Sequence, residues 1–280
     1  MRVDAHHHLW DLSVRPQAWL DDPSLVSISR SFLIEDYERL AAAAGIERSV
    51  LVETVNVAEE TDELLHIAEA SPIVSAVVGW VDLTATDVAA RLGELGEHRN
   101  GRWLRGIRHQ VQLEQSERWL CRDDVRRGLA AVAAADLAYE LVVLPQQLPA
   151  VAETVSALPE VRFVLAHCGK PPIASGDLTD WTAQIGAIAA APNVTCKLSG
   201  LVTEADWQTW EIADLRPVVD VVLDTFGPER LMLGTDWPVC LLAGDGERVL
   251  SAYQALVSDL SVDERAAVEG GTAAEVYRLS

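Results

Sequence analysis

Lysine is nearly absent from this sequence. Of 22 basic residues only Lys170 and Lys197 are lysines, and 43 acidic residues leave a formal charge of −21. A chain this acidic lacks the basic stripes that nucleic acid and anionic membranes need, so neither is an expected partner. The four cysteines, Cys121, Cys168, Cys196 and Cys240, show no CxxC and no framework spacing. Reduced thiols and a cytoplasmic location are the expectation. No uninterrupted apolar run reaches the roughly 18 residues of a membrane span. The opening MRVDAHHHLWD has no apolar stretch of the secretory kind, and its histidines run into strand-like chain rather than reading as a purification tag. There is no Gly/Ser linker and no low-complexity segment. No GxGxxG follows the first strand, which weighs against a doubly wound open sheet.

Apolar residues make up 49% of the 280, enough to bury a full core, and nothing marks a domain boundary. One domain spanning 1–280 is expected. Short apolar runs fall at Arg2–His8, Ser49–Glu53, Val74–Val81, Gly106–Val111, Ala138–Leu144, Arg162–His167, Val194–Leu198 and Arg230–Gly234. Each has strand length and is bounded by Gly, Pro, Asn or polar residues. Amphipathic stretches lie between them, at Glu59–Ala70, Asp123–Ala135, Leu148–Leu158 and Arg216–Phe226. Thr84 or Thr86 is the expected cap of a helix ending near Glu97, and Asp123 or Asp124 of the next. Several strands are continuously apolar, as parallel strands covered by helices are. Eight of them alternating with helices predicts a single (β/α)₈ barrel in the α/β class. The segment 9–35 reads as a long loop, a lid over one end of the barrel or a packed Ω-loop, and 262–279 as one final helix.

The polar residues that interrupt this pattern gather at strand ends. His6, His7 and His8 end the first strand. Arg108 and His109 lie in the fourth; His167, Cys168 and Lys170 follow the sixth; Lys197 lies in the seventh; Asp236 and Trp237 follow the eighth. In a (β/α)₈ barrel those ends form the active face. His6 and His8 share a face of the strand, so His7 points the other way and reads as structural. His66 and His98 sit on helical patterns and read as surface or core-edge residues. Arg108 and His109 likewise point to opposite sides, so at most one faces inward. His167 sits in LAHCGKP, where Gly-Lys-Pro-Pro forces a sharp turn. Asp236 directly follows the buried run LMLG, where a carboxylate is costly unless it serves a site. Trp10 and Trp237 flank these groups as a candidate apolar wall. A compact ammonium kept twice in an arginine-rich chain marks Lys170 and Lys197 as candidate substrate contacts.

VDAHHHLWD, RGIRHQV, LAHCGKP, CKLSGL and GTDWPV, in that order over residues 3 to about 240, together resemble the lactone-hydrolase branch of the amidohydrolase superfamily. The resemblance implies a distorted (β/α)₈ barrel and hydrolysis of sugar lactones, or of lactones from aromatic breakdown such as pyrone dicarboxylate and sulfomuconolactone. The superfamily's metal set is an HxH on strand 1, Lys or Glu on strand 4, His on strands 5 and 6, and Asp on strand 8. His6, His8, His167 and Asp236 match it. Strand 4 supplies no Lys and strand 5, AYELVVLPQQ, no His. A binuclear centre is therefore not expected. The expectation is that no metal is required, with His6, His8, His167 and Asp236 as the set that would hold a single zinc ion.

The expected chemistry is opening of a small cyclic ester, a sugar aldonolactone of the L-fucono or L-rhamnono type. Asp236 acts as general base on water and then returns the proton to the leaving hydroxyl. His167 orients the water or polarises the carbonyl, and His6 and His8 complete an electropositive pocket. Arg108, His109, Lys170, Lys197, Trp10 and Trp237 are the expected substrate contacts. Rival readings are a metal-dependent decarboxylase, a metal-dependent amide hydrolase, and a silent sugar-acid binding protein. No coiled-coil pattern stands out, so monomer and homodimer are both compatible with the sequence.

Overall fold

The computed structural model describes residues 1–279. Eight parallel strands follow one another round a single sheet: β1 (Val3–His7), β2 (Arg48–Val52), β3 (Val74–Gly79), β4 (Leu104–His109), β5 (Ala138–Leu141), β6 (Arg162–Leu165), β7 (Val194–Leu198) and β8 (Leu231–Leu233). All eight expected runs are strands, several ending two or three residues earlier than read. Helices cover the outside: α1 (Ile34–Ala44), α2 (Ala58–Ala70), α3 (Val88–Glu97), α4 (Asp123–Ala134), α5 (Leu148–Ala157), α6 (Thr179–Ala189), α7 (Ile212–Phe226) and α8 (Gly246–Leu256). Among the described residues no helix is long and apolar enough to cross a membrane, and the four cysteines are free.

Four local expectations need correction. The long loop gives way to α1 at Ile34, where Asp36 accepts from the Leu33 N–H, and two 3-10 turns, Ala18–Asp21 and Pro23–Ile28, organise its middle. Neither Thr84 nor Thr86 caps α3. Thr84 instead turns onto Asp82, and Asp87 occupies the cap position. Arg122 holds the corresponding place before α4, with Asp123 and Asp124 inside its first turn, where acidic groups favour the helix dipole. The C-terminal segment is not one helix. α9 (Val262–Ala266) and α10 (Thr272–Tyr277) are separated by a π-turn at Ala267–Gly271. A side chain at Gly270 would sit 2.4 Å from the Met1 carbonyl, so the break lets the chain press against β1 and turn α10 into the barrel. There Ala273 and Tyr277 pack among Val3, Ala5, Val50, Val52 and Met232, plugging the end away from the histidines.

The barrel closes unevenly. β1 and β8 share no ladder along their length. They meet just beyond their ends, where Asp236 N donates to His6 O at 2.8 Å and His8 N to Trp237 O at 2.7 Å. Asp4 fastens this seam. Its buried carboxyl accepts from Thr235 N at 2.9 Å, Thr235 Oγ1 at 2.6 Å, Tyr37 Oη at 3.0 Å and His6 N at 3.1 Å. Burial pushes the Asp4 pKa up, against those four bonds. Asp4→Ala leaves buried donors on β1, α1 and the β8 loop without an acceptor. A loss of about 3 kcal/mol is expected, read as a fall in Tm of roughly 6–12 °C. An unchanged Tm would show that the seam closes without this tie.

Candidate active site

Strand alternation decides which candidates enter the barrel. His6, Arg108, Glu140 and Lys197 project inward from β1, β4, β5 and β7. His8, Glu53, His167 and Asp236 follow the ends of β1, β2, β6 and β8. At the centre His6 Nε2 and His8 Nε2 lie 3.1 Å apart. Asp236 Oδ1 is 3.7 Å from His6 Nε2, 3.6 Å from His8 Nε2 and 3.9 Å from His167 Nε2. The four candidate residues therefore converge on one point.

Two of them reach it on strained backbone. His167 (φ 54°) and Asp236 (φ 57°) are both left-handed, which costs non-glycine residues about 1–3 kcal/mol each. Gly200, after β7, makes room for them: a Cβ there would lie 2.5 Å from His167 Nδ1 and 3.2 Å from Asp236 Oδ2. Ser199 Oγ lies 2.9 Å from His167 Nδ1. That contact pins the imidazole so that Nε2 faces Asp236.

Burial lowers His6 well below the ordinary imidazole range, helped by Lys197, and takes His167 down to about 3 against the pull of Asp236. Both rings are neutral at neutral pH. Burial pushes the Asp236 carboxyl up, but His167 and His8 more than offset it, and its pKa lies below the usual carboxylate value. Asp236 is thus an ionised carboxylate ringed by imidazoles.

Beneath it lie two cation–carboxylate pairs. Arg108 Nε donates to Glu53 Oε1 at 2.7 Å, and Nη2 to the Glu53 carbonyl. Lys197 Nζ donates to Glu140 Oε1 at 2.6 Å, and Tyr277 Oη to the same oxygen at 2.5 Å. Burial raises Glu53 to about 8 and lowers Lys197 to about 8, each against its partner.

The cavity above has a volume of about 390 Å³. His8, Arg108, His167, Lys170 and Asp236 line it, with Trp19, Asn56, Gln110, Gln112, Thr203 and Glu204. Lys170 Nζ is 3.5 Å from Glu204 Oε1.

Four expected contacts do not reach this cavity. Lys197 is fully buried below it, committed to Glu140 and His6. His109 points out of the barrel, stacked on Trp119 at 4.3 Å; it accepts from Trp80 Nε1 and lies 2.8 Å from Glu114 Oε1. Trp237 alternates away from Asp236 to pack on Phe32 and Tyr37. Trp10 donates to the Arg30 carbonyl inside the long loop, its ring against Phe32 and Trp19. Trp19, at the cavity, takes the wall position expected of Trp10 and Trp237. His7 is structural, stacked on Tyr37 at 3.7 Å and bonded to Ser49. Glu53, Glu140, Ser199, Gly200, Glu204 and Tyr277 were not singled out from the sequence. The signal for two of them was present, since Glu140 interrupts an apolar strand and Glu53 ends one.

The family model for amidohydrolases matches residues 3–279. The chain belongs to this family. It is 38% identical to an L-fucono-1,5-lactonase of Burkholderia ambifaria, over 99% of this chain and 96% of that protein. It is 39% identical to an L-fucono-1,5-lactonase of Burkholderia multivorans, over 100% of this chain and 96% of that one. Crystal structures of a Burkholderia multivorans amidohydrolase, one with HEPES and one with zinc bound, superpose with a TM-score of 0.93 at 38% identity over both whole chains.

Two predictions follow from the geometry. Gly200→Ala should displace His167 and Asp236 together, lowering kcat at least about 100-fold while the circular dichroism spectrum stays native. Wild-type turnover would show that the pocket tolerates the methyl group. The second concerns acid. Because the His167 pKa is lower in the folded chain, the unfolded chain binds the extra proton between about 6.5 and about 3. The associated stability is whole above 6.5 and is lost as pH falls toward 3, by up to about 1.4 kcal/mol per pH unit. Urea unfolding of His167→Asn should show a shallower loss over that window; an equal slope would place the acid sensitivity elsewhere.

Proposed function

We propose that the protein hydrolyses a sugar aldonolactone of the L-fucono or L-rhamnono type, with Asp236 as the base that activates water. The observation that carries this is the ionised Asp236 carboxylate within 3.9 Å of three imidazole nitrogens at the floor of a small cavity. The cavity's charge favours a neutral substrate. Among the described residues each cation lining it has its own carboxylate, Arg108 with Glu53 and Lys170 with Glu204. A dicarboxylate would meet cations already bonded to acidic side chains, in a chain whose overall charge repels anions. Asn56, Gln110, Gln112 and Thr203 offer amide and hydroxyl groups to a polyol, and Trp19 an apolar surface to its ring. The curated relatives named as L-fucono-1,5-lactonases support the same substrate class.

Asp236 takes a proton from water as the water attacks the lactone carbonyl. The Ser199 hydroxyl donates to His167 Nδ1 in this mechanism, and His167 Nε2–H donates to the developing oxyanion. Arg108, whose Nη1 reaches the cavity floor, adds positive charge beside it. The protonated Asp236 then delivers its proton to the departing ring oxygen, opening the ring to a hydroxy acid. His6, a neutral ring buried between Lys197 and His8, orients the centre rather than adding charge.

The donor spacing also suits a zinc ion. Tetrahedral ligands about 2.0–2.1 Å from zinc lie about 3.4 Å from one another; His6, His167 and Asp236 place donor atoms within 4.8 Å of one another, and His8 Nε2 lies 3.1 Å from His6 Nε2. Such an ion would polarise the carbonyl and acidify water. We propose that the residues above suffice without it.

On a panel of aldonolactones, turnover of a sugar 1,5-lactone should survive chelation, and pyrone dicarboxylate should react poorly. Asp236→Asn should reduce kcat by about 10²–10⁴ with little change in KM. Near-wild-type turnover in that variant would falsify the assignment of the base.

A further inference from the structure

His109, singled out in RGIRHQV, does not line the cavity, yet its ring is held on three sides. It stacks on Trp119 with centroids 4.3 Å apart, Trp80 Nε1 donates to its Nδ1 at 3.0 Å, and its Nε2 is 2.8 Å from Glu114 Oε1. An indole N–H only donates, so Nδ1 bears the lone pair and the neutral ring carries its hydrogen on Nε2. Burial keeps the ring neutral by lowering its pKa, against the pull of Glu114. Nε2–H therefore donates to the Glu114 carboxylate. We propose that His109, aligned by Trp80 and clipped to Glu114, is a positioning residue for the polar wall of the cavity, and that it sets the preference of the site for a lactone bearing hydroxyls over a plain one.

Asn56, Gln110 and Gln112 line the cavity and are tied to one another. Gln110 N donates to Asn56 Oδ1 at 2.9 Å, and Gln112 Nε2 to Gln110 Oε1 at 2.9 Å. Gln110 is also held from inside the barrel, its Nε2 donating to Glu53 Oε1 at 3.2 Å and to the Thr54 carbonyl at 3.4 Å. Gln112 sits farther out, on the 3-10 turn Val111–Leu113. The start of that turn is fixed by Gln147 Nε2, which donates to the Val111 carbonyl at 2.8 Å, and by Gln112 N, which donates to the Val142 carbonyl at 3.2 Å. Among the described residues the His109–Glu114 bond is the side-chain tie at its far end. Leu113 is 72% exposed, so packing would not replace that tie. The same His109 Nε2 lies 3.5 Å from Asn56 Nδ2, too long for a bond between two donors, so the ring backs the Asn56 amide without engaging it. One imidazole thus braces two parts of the wall, and does so without touching the cavity. A site that hydrogen-bonds a substrate hydroxyl discriminates against the analogue lacking it far more than an apolar pocket can, so the placement of these amides carries selectivity.

The inference rests on the lactonase reading for its substrate, and one of its readouts uses no substrate. Glu114→Ala removes the acceptor from a partly exposed side chain, while Glu114→Gln keeps one of the same length. In Glu114→Ala the KM for a sugar 1,5-lactone should rise about three- to tenfold, the factor of one hydrogen bond, with kcat within about twofold of wild type. For δ-valerolactone, which has no hydroxyl, kcat/KM should stay within about twofold. Glu114→Gln should keep the sugar-lactone KM within about twofold of wild type. His109→Asn keeps an acceptor near Trp80 but loses the donor to Glu114, and should raise that KM at least as much as Glu114→Ala. An unchanged sugar-lactone KM, an equal loss on both lactones, or a loss confined to kcat overturns the proposal. Without substrate, the amides of Leu113 and Glu114, bonded to the Gln110 and Val111 carbonyls, should exchange hydrogen faster in Glu114→Ala than in the wild type. Equal protection also overturns it. A wild type that turns over no lactone defeats the lactonase reading, and hydrogen exchange then decides whether the clip holds the wall.

Discussion

The Asp4 carboxyl is the tie on which the site depends. β1 and β8 do not pair along their length, so nothing in the ladder itself brings His6 and His8 to Asp236. Asp4 does so locally. It accepts from both donors of Thr235, and the Thr235 hydroxyl accepts from Trp237 N at 3.1 Å. The loop is fixed on both sides of Asp236. On its own strand Asp4 accepts from the His6 N–H. One buried group thus sets the spacing between the imidazoles and the base. At the 3.6–3.7 Å seen between them, a small opening of the seam changes which atoms touch. Gly234 lies in the same seam, where a Cβ would stand 2.7 Å from the Cβ of His6.

The interior is polar in a layered way. An apolar plug containing Tyr277 closes one end, a level of paired charges follows, and the imidazoles and Asp236 stand above it. In the charged level each cation has an acidic partner, Arg108 with Glu53 and Lys197 with Glu140. Above that level burial is the largest influence on His6 and His167. His6 and His167 have no reason to stay charged, and Asp236 stays ionised beside them. The expectation that His6 and His8 would form an electropositive pocket fails for His6 on this ground. The positive charge near the floor comes from Arg108.

Much of this was legible in the sequence because it follows from periodicity. Eight apolar runs, each of strand length, fixed the barrel, and period-two alternation separated His6 and His8 from His7, and Arg108 from His109. The same alternation, applied to Asp236 and Trp237, would have turned Trp237 outward. Lys197 shows the limit of composition. Its rarity marked it as special, but only the register of β7 and the depth of the barrel reveal that it lies below the cavity. Glu53 and Glu140 escaped because acidic residues are common in this chain, and a carboxylate becomes informative only when its buried cation is known. Tyr277 is 137 positions from Glu140, and no local pattern joins them. The helix break at Gly270 depends on the Met1 carbonyl, a contact invisible to helical periodicity.

The strained residues tie these observations together. An imidazole leaving β6 and a carboxylate leaving β8 reach a common point only if the chain bends sharply after each strand, and both do so in the left-handed region. Glycine or asparagine would relieve that strain at less cost, but neither carries a base or an imidazole. The neighbouring strand supplies the compensation. Gly200 is itself left-handed and has no side chain, so His167 and Asp236 pack directly against its backbone. The energy held in two unfavourable conformations is offset by the seam, the helices and the apolar core, which hold the strand ends fixed. The same rigidity holds the Ser199 hydroxyl 2.9 Å from His167 Nδ1 and so fixes the orientation of the ring. Backbone strain at two positions, and the glycine between them, are therefore the structural condition for bringing a carboxylate and an imidazole to the same point of the cavity.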